Sequence, residues 1–231
     1  PSVLQSAATL ERQLPKNTTL AVTYTHSRGF RELRSNDTNA PLPGTYNPAV
    51  PNSGVFPLGH PGPVFAMESS GVFRQHQLLV NVNSKVSRTI SLFGTYVFNR
   101  VNSNTDGLGT FPANPYSSAG EYGPAAWDVR HRLNTGGTIN TKWNVRLSPF
   151  IALQSGAPFD ITAGSDLYGT TLFSGRPGIA TDLYRPGLIQ TPYGLLDPNP
   201  AGSGETLISR NFGRGPVQMF VNLRVAKIFT L

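Results

Sequence analysis

The chain contains no cysteine, few charged residues and no long apolar run. The absence of cysteine excludes disulfides, thiolate metal sites and thiol catalysis. Only 13% of the 231 residues are charged, yet the mean hydropathy is −0.20. A soluble domain carries about a quarter charged residues. No stretch approaches the roughly 20 consecutive apolar residues that a transmembrane helix needs. A membrane protein with this composition would therefore have to cross the bilayer with strands.

The first residues show no leader pattern, and the basic residues form no dense run. It opens with Pro1-Ser2-Val3, without Met or a basic and apolar leader, so we expect it to begin within a longer protein. The net charge is +7 and the isoelectric point is near 10.0. Arg and Lys are scattered singly among Ser, Thr and Asn, a pattern that does not favour nucleic-acid binding.

Apolar and polar residues alternate with a period of two in several long stretches. The clearest alternation lies in residues 19–28, 75–84, 90–99, 145–153 and 217–225, and a weaker form lies in residues 3–13 and 128–140. A period of two predicts strands and not helices. Several stretches reach ten residues, which favours tilted membrane strands of about 9–11 residues over the five or six residues typical of a soluble sandwich.

The connections between these predicted strands are alternately short and long. The short ones are residues 14–17, 84–87 and 140–142, and the long ones are residues 29–64, 101–127 and 155–215. An up-and-down barrel with tight periplasmic turns and long external loops produces this alternation. The sequence therefore predicts an all-β, antiparallel up-and-down transmembrane β-barrel segment of about seven long strands. The last connection is long enough that part of it must be ordered or functional.

No group of residues indicates an active site or a metal centre. The chain has four histidines without metal-motif spacing: His26, His60, His76 and His131. Ser155 lacks the Gly-x-Ser-x-Gly elbow of a serine nucleophile. Four loop carboxylates show no calcium-motif spacing: Asp106, Asp160, Asp166 and Asp182. We therefore expect no enzyme activity, cofactor or metal, although a hydrolase built on His131 and Ser155 remains an alternative that lacks an assigned acid.

Two sets of residues are candidates for structural or binding roles. Asp128, Arg130 and Arg132 are expected to share one face of a strand. If that face lines the lumen, they would form ion pairs that fix the wall or a plug, with direct substrate contact as the alternative. Aromatic residues in the long loops could stack on a sugar or peptide, because loops on a rigid scaffold carry recognition. These residues are Tyr46, Phe56, Tyr116, Tyr122, Tyr168 and Tyr184.

Several short motifs occur along the chain in a fairly specific order. They are residues 74–83 (RQHQLLVNVN), 94–98 (GTYVF), 128–132 (DVRHR), 148–150 (SPF), 155–166 (SGAPFDITAGSD), 176–177 (RP), 214–216 (RGP) and 222–229 (NLRVAKIF). Their order and spacing resemble the C-terminal barrel half of Oar-like TonB-dependent receptors. The resemblance covers nearly the whole chain, so residues 1–231 are expected to be one partial barrel domain. It implies an outer-membrane barrel of about 22 strands with a plug and an N-terminal domain, neither of which these residues include.

The resemblance implies TonB-dependent uptake across the bacterial outer membrane. The expected partners are outer-membrane lipid, the TonB complex through the missing N-terminal parts, and a carbohydrate, peptide or siderophore-like substrate. Two other classes remain open at this stage. One is an adhesion or structural barrel without transport, and the other is a soluble β-sandwich that binds a ligand.

Overall fold

The computed structural model describes residues 1–200, 205–227 and 229, and these contain strands and turns but no α-helix. The strands are β1 (Ser2–Leu14), β2 (Thr18–Asp37), β3 (Phe65–Ser84), β4 (Ile90–Ser103), β5 (Gly123–Pro124), β6 (His131–Asn140), β7 (Val145–Gln154), β8 (Pro158–Phe159), β9 (Gly178–Ile179), β10 (Ile189–Thr191), β11 (Gly194–Asp197), β12 (Gly213–Arg214) and β13 (Gln218–Lys227). Within the described ranges, no helix is long and apolar enough to cross a membrane.

One antiparallel sheet contains all the long strands. Its order is β1-β2-β3-β4-β6-β7-β13, with the short β5 paired to β4. Every long strand neighbours the next long strand along the chain, so the sheet is an up-and-down meander, as the sequence predicts. The short strands form two small sheets, β10-β11-β9 and β12-β8, within the long connection that the sequence predicts to be partly ordered.

The connections lie at two opposite ends of this sheet. Short turns at residues 15–17, 85–89 and 141–144 join strands at one end, which we call the turn end. Three long connections leave the other end, which we call the loop end. These are loop 1 (residues 38–64), loop 2 (residues 104–130) and loop 3 (residues 155–217). The predicted alternation of short and long connections is confirmed.

The structure corrects several predicted strand bounds at the loop end. β2 continues to Asp37 and β3 begins at Phe65, so the predicted connection 29–64 is wrong in its first part. Backbone pairing continues there past a bulge at Arg31, whose φ is 55°. Similarly, β4 continues to Ser103. The predicted strand 128–140 begins only at His131, so Asp128 and Arg130 lie outside it.

The strand register produces one apolar and one polar face. A continuous row on the apolar face crosses all seven long strands: Leu10, Val22, Val80, Tyr96, Leu133, Leu153 and Met219. A neighbouring row on the polar face comprises Thr9, Thr23, Leu79, Val97, Arg132, Gln154 and Gln218. Leu10 and Met219 are 74% and 65% exposed. A contiguous exposed apolar surface of this kind needs an apolar environment.

Most of the fully buried side chains lie at the loop end. The buried residues include Ala113 and Ala125 of loop 2, Ile208 of loop 3, and Val101 at the end of β4. Buried polar groups are common in the same region. The wall is thus a single layer, and the densest packing is where the loops meet it.

Candidate functional site

The three long loops contact one another and form a single structure, which we call the loop assembly. Tyr116 of loop 2 donates a hydrogen bond from its Oη to the carbonyl oxygen of Ala40, at 2.6 Å, in loop 1. Ser174 of loop 3 donates from Oγ to the carbonyl oxygen of Pro112, at 3.1 Å, in loop 2. Gly169 of loop 3 lies so close to loop 1 that a Cβ there would meet Pro41 at 2.7 Å.

Buried ion pairs join loop 3 to loop 2. Arg176 and Glu121 form a salt bridge in which both side chains are buried. Arg210, also buried, pairs with Asp106 at 3.2 Å. Buried charges are costly unless they are paired, and removing one partner leaves the other uncompensated. A shift of loop 3 on loop 2 would therefore leave buried charges unpaired.

Asp128 connects the loop assembly to the sheet. Its carboxylate is fully buried and accepts hydrogen bonds from the Val101 backbone N–H at 2.8 Å, from Arg130 Nη2 at 3.0 Å and from Arg214 Nη2 at 2.5 Å. Arg214 also donates from Nη1 to the Asp128 carbonyl oxygen at 2.7 Å. One carboxylate thus holds the end of β4, the segment before β6, and β12 together.

The predicted charge cluster is divided between two places. Asp128 and Arg130 form an ion pair at the loop end. Arg132 lies inside β6 on the polar face, where its register partners are Val97 and Gln154. The sequence identified Asp128 by its charged neighbours. It could not reveal Arg214, because that partner lies 86 residues away.

Three of the six predicted loop aromatics lie where loops meet. Tyr46 approaches Gly169, Tyr116 donates a hydrogen bond to loop 1, and Tyr168 lies beside Asn114 of loop 2. Burial raises the pKa of each of these three phenols above the usual value, and Asp166 and Asp37 add to this effect at Tyr46 and Tyr116 respectively. The hydroxyls therefore remain neutral donors at physiological pH.

The other three predicted aromatics differ in accessibility. Tyr184 of loop 3 is 93% exposed, and Phe56 of loop 1 is partly exposed. Tyr122 of loop 2 is also exposed, but it borders a hollow with Arg74 and Arg100, which lie on strand positions of the apolar face. Of the six, Tyr184 is the side chain most available to a ligand in solution.

A recess on the polar face brings Arg132 together with residues that the sequence did not point to. Its volume is about 370 Å³, and its lining includes Arg132, Asn134, Gln154, Gln218 and Phe220. Gln154 donates from Nε2 to Gln218 Oε1 at 2.5 Å. These residues occupy polar-face positions in the alternation, but only the β7–β13 pairing shows that they meet across the long loop 3.

The loop carboxylates that could have bound calcium have separate structural partners. Asp166 accepts three backbone hydrogen bonds within its own turn, from residues 168, 170 and 171. Asp160 accepts from the backbone N–H of Asn211 at 2.7 Å, and Asp182 accepts from that of Tyr184 at 3.1 Å. Throughout the part of the chain that the structure describes, no three His, Asp or Glu side chains are grouped to hold a metal ion.

Ser155 contacts the backbone of His131 and not its imidazole. The Ser155 Oγ accepts from the His131 backbone N–H at 3.1 Å, and the Ser155 N–H donates to the His131 carbonyl oxygen at 2.9 Å. The imidazole Nδ1 of His131 is hydrogen-bonded to Tyr96 Oη at 2.8 Å. The contact is therefore strand pairing and not the nucleophile–base arrangement of a hydrolase.

The sequence profile of one protein family matches the entire chain. It is described as an outer membrane beta barrel domain, and the match covers residues 1–231. The chain belongs to this family. No curated protein and no solved structure matches the chain.

Membership of this family assigns the two faces and the two ends of the sheet. In an outer-membrane barrel the apolar face contacts lipid and the polar face lines the lumen, so we call the latter the lumen face. In such barrels the short turns are periplasmic and the long loops are external. The protein is thus located in the bacterial outer membrane.

Proposed function

We propose that this chain supplies wall strands and external loops of a TonB-dependent outer-membrane transporter. The observation that carries the proposal is the lumen face, which presents amides, hydroxyls and arginines across seven strands and contains a recess of about 370 Å³. Such a surface can exchange hydrogen bonds with a polar substrate as it passes. The resemblance to Oar-like receptors supports coupling to TonB.

The charges on the lumen face favour a neutral or anionic substrate. Arg132, Arg146 and Arg224 occupy lumen-face positions of β6, β7 and β13, whereas the acidic Glu11 is on the far edge strand β1. Arg146 is hydrogen-bonded to Asn140 at 2.9 Å and not to a carboxylate. The excess positive charge on this side would attract acidic sugars, peptides or siderophore-like compounds more than cations.

The loop assembly is the proposed site of first capture. Its buried ion pairs and hydrogen bonds hold loops 1, 2 and 3 together, so the exposed Tyr184 and the partly exposed Phe56 are presented on an ordered surface. Ordered recognition residues lose less conformational entropy when they bind a ligand. An adhesion barrel would use the same surface to bind a partner, and no substrate would pass through its lumen.

Uptake measurements on the intact protein test the proposal. Cells would receive labelled oligosaccharides, peptides and siderophores with and without a protonophore. We expect at least one class of compound to be taken up, and this uptake should stop when the proton gradient collapses. It should also fall several-fold in the triple variant Asn134→Ala, Gln154→Ala, Gln218→Ala. Lys142→Gln at the turn end is the control. Binding to cells without gradient-dependent uptake would favour adhesion and contradict transport.

A further inference from the structure

A group of basic side chains lies on the lipid-facing side of the wall near the loop end. Arg28, Arg74 and Arg100 are all exposed there, and His26 and His76 lie beside them. We call these five residues the basic cluster. They are on neighbouring strands β2, β3 and β4, at positions that continue the apolar face.

The register places like charges opposite one another within the basic cluster. The two cations that lie directly opposite are Arg28 and Arg74, across β2 and β3, whereas Arg100 lies opposite the imidazole of His76 across β3 and β4. Like charges directly opposite on a sheet are destabilising. None of the three arginines forms a salt bridge with a carboxylate of the described residues. The wall therefore lacks a counter-charge of its own at this point.

The basic cluster lies directly above an apolar band. The next row toward the turn end is Tyr24, Leu78 and Phe98, and the row after it is Val22, Val80 and Tyr96. Tyr24 Oη is hydrogen-bonded to His76 Nδ1 at 2.7 Å, a polar tip on an apolar ring. Tyr at the edge of an apolar band marks the interface between acyl chains and headgroups.

A hollow beside the arginines is large enough for a phosphate group. It has a volume of about 230 Å³ and is lined by Arg74, His76, Arg100, Asn102 and Tyr122. Guanidinium groups bind phosphate oxygens in a bidentate way, and the amide and phenol supply further donors. The four strand residues that line the hollow all occupy positions of the apolar face.

We propose that the basic cluster binds the phosphate-bearing headgroup of an outer-leaflet lipid, whose acyl chains lie on the apolar face beneath it. Charge complementarity identifies the occupant, because the anion replaces the missing carboxylates. The adjacent apolar band then selects a lipid over a free anion. This inference rests on the family and on the register, and it does not depend on transport.

Native mass spectrometry of the intact protein in detergent tests the inference. The probes are diphosphorylated lipid A, the same lipid without its phosphates, and inorganic phosphate. The variant is Arg28→Gln, Arg74→Gln, Arg100→Gln. The matched control is Lys16→Gln, Lys85→Gln, Lys142→Gln, which removes the same charge from exposed turn-end positions. Heat-dependent mobility on a denaturing gel shows whether each variant is folded. The single substitution Arg74→Gln is a milder variant, to be used if the triple variant does not fold.

We expect the arginine variant to lose at least about tenfold in affinity for the phosphorylated lipid, because each cation contributes to anionic headgroup binding. The single variant should lose less, and the lysine control should bind as the wild type does. Equal binding by the triple variant would overturn the inference. Equal binding of the dephosphorylated lipid by the wild type would also overturn it, as would displacement of the lipid by millimolar inorganic phosphate.

Discussion

Replacing Asp128 with alanine should loosen loop 3 where it meets the wall without unfolding the sheet. The substitution removes the acceptor for the Val101 N–H and for two guanidinium groups. The strand pairs of the sheet do not depend on this carboxylate, because their hydrogen bonds are between backbones. The expected damage is therefore confined to the places where β4, β6 and β12 meet.

The magnitude follows from the burial of each partner. Breaking a buried ion pair costs about 3–5 kcal/mol, and an unsatisfied buried N–H alone costs about 1–3 kcal/mol. The side chains of Arg130 and Arg214 are 37% and 32% exposed, so water can partly solvate them after the change. We therefore expect a local loss of about 2–3 kcal/mol, which corresponds to roughly a 30- to 150-fold increase in local opening.

Hydrogen exchange of the intact protein in detergent measures this opening. The reporting amides are Val101, Arg214, which donates to Tyr193 Oη, and Gly215, which donates to the Ala157 carbonyl oxygen. Asp128→Asn should have a smaller effect, because its amide oxygen can still accept from the Val101 N–H.

The control is Asp182→Ala, which removes an exposed carboxylate from loop 3. Asp182 accepts only a local hydrogen bond, from the backbone N–H of Tyr184 at 3.1 Å. Its loss should leave exchange at the three reporting amides unchanged. Wild-type exchange rates in Asp128→Ala would refute the assigned role of Asp128, as would equal acceleration in the control.

Three further predictions concern the loop assembly. Gly156→Ala should lower the unfolding temperature measured by gel shift, because its Cβ would lie 1.7 Å from the carbonyl oxygen of Gly215. A Cβ at Gly109 would meet no atom within 4 Å, so Gly109→Ala should leave this temperature unchanged. Burial raises the pKa of the Tyr168 hydroxyl above the ordinary tyrosine value near 10. Its contribution to stability should therefore be present below pH 10 and be lost as the pH rises through the raised pKa. The difference in phenolate absorbance between the wild type and Tyr168→Phe should show that this tyrosine ionises above the ordinary pKa. Tyr184→Ala should preserve loop protection but weaken substrate binding by roughly 2- to 10-fold in uptake assays, and unchanged affinity would remove Tyr184 from the site.

The long strands and the two faces were predictable because lipid imposes a strong pattern. A residue that faces lipid must be apolar and its neighbour along the strand must not, so alternation reveals the strand directly. Leu20, Val22 and Tyr24 follow this pattern, as do Val221, Leu223 and Val225. The order of the strands also followed, because consecutive strands pair in an up-and-down barrel.

The loop assembly was much less predictable because its contacts are distant in the sequence and follow no period. Arg176 meets Glu121 across 55 residues, and Arg214 meets Asp128 across 86. Nothing in the residues around Arg214 indicates which acid it pairs with. The loop aromatics show the same limit, since an aromatic in a loop can pack between loops, as Tyr168 does, or face solvent, as Tyr184 does.

The misplaced strand ends have a common physical cause, which also explains how the loops are supported. At about 3.4 Å per residue and a tilt near 45°, a strand of 20 residues rises about 48 Å, whereas the apolar band of an outer-membrane barrel is about 25 Å tall. The β2–β3 hairpin must therefore project well beyond the lipid, and alternation stops at the membrane surface while backbone pairing continues. The projecting part supports loop 2, since the Ser35 N–H donates to the Thr110 carbonyl oxygen and the Thr105 hydroxyl donates to the Leu33 carbonyl oxygen. The pattern in the sequence thus records contact with lipid, and the wall continues outward as the scaffold that holds the external loops in place.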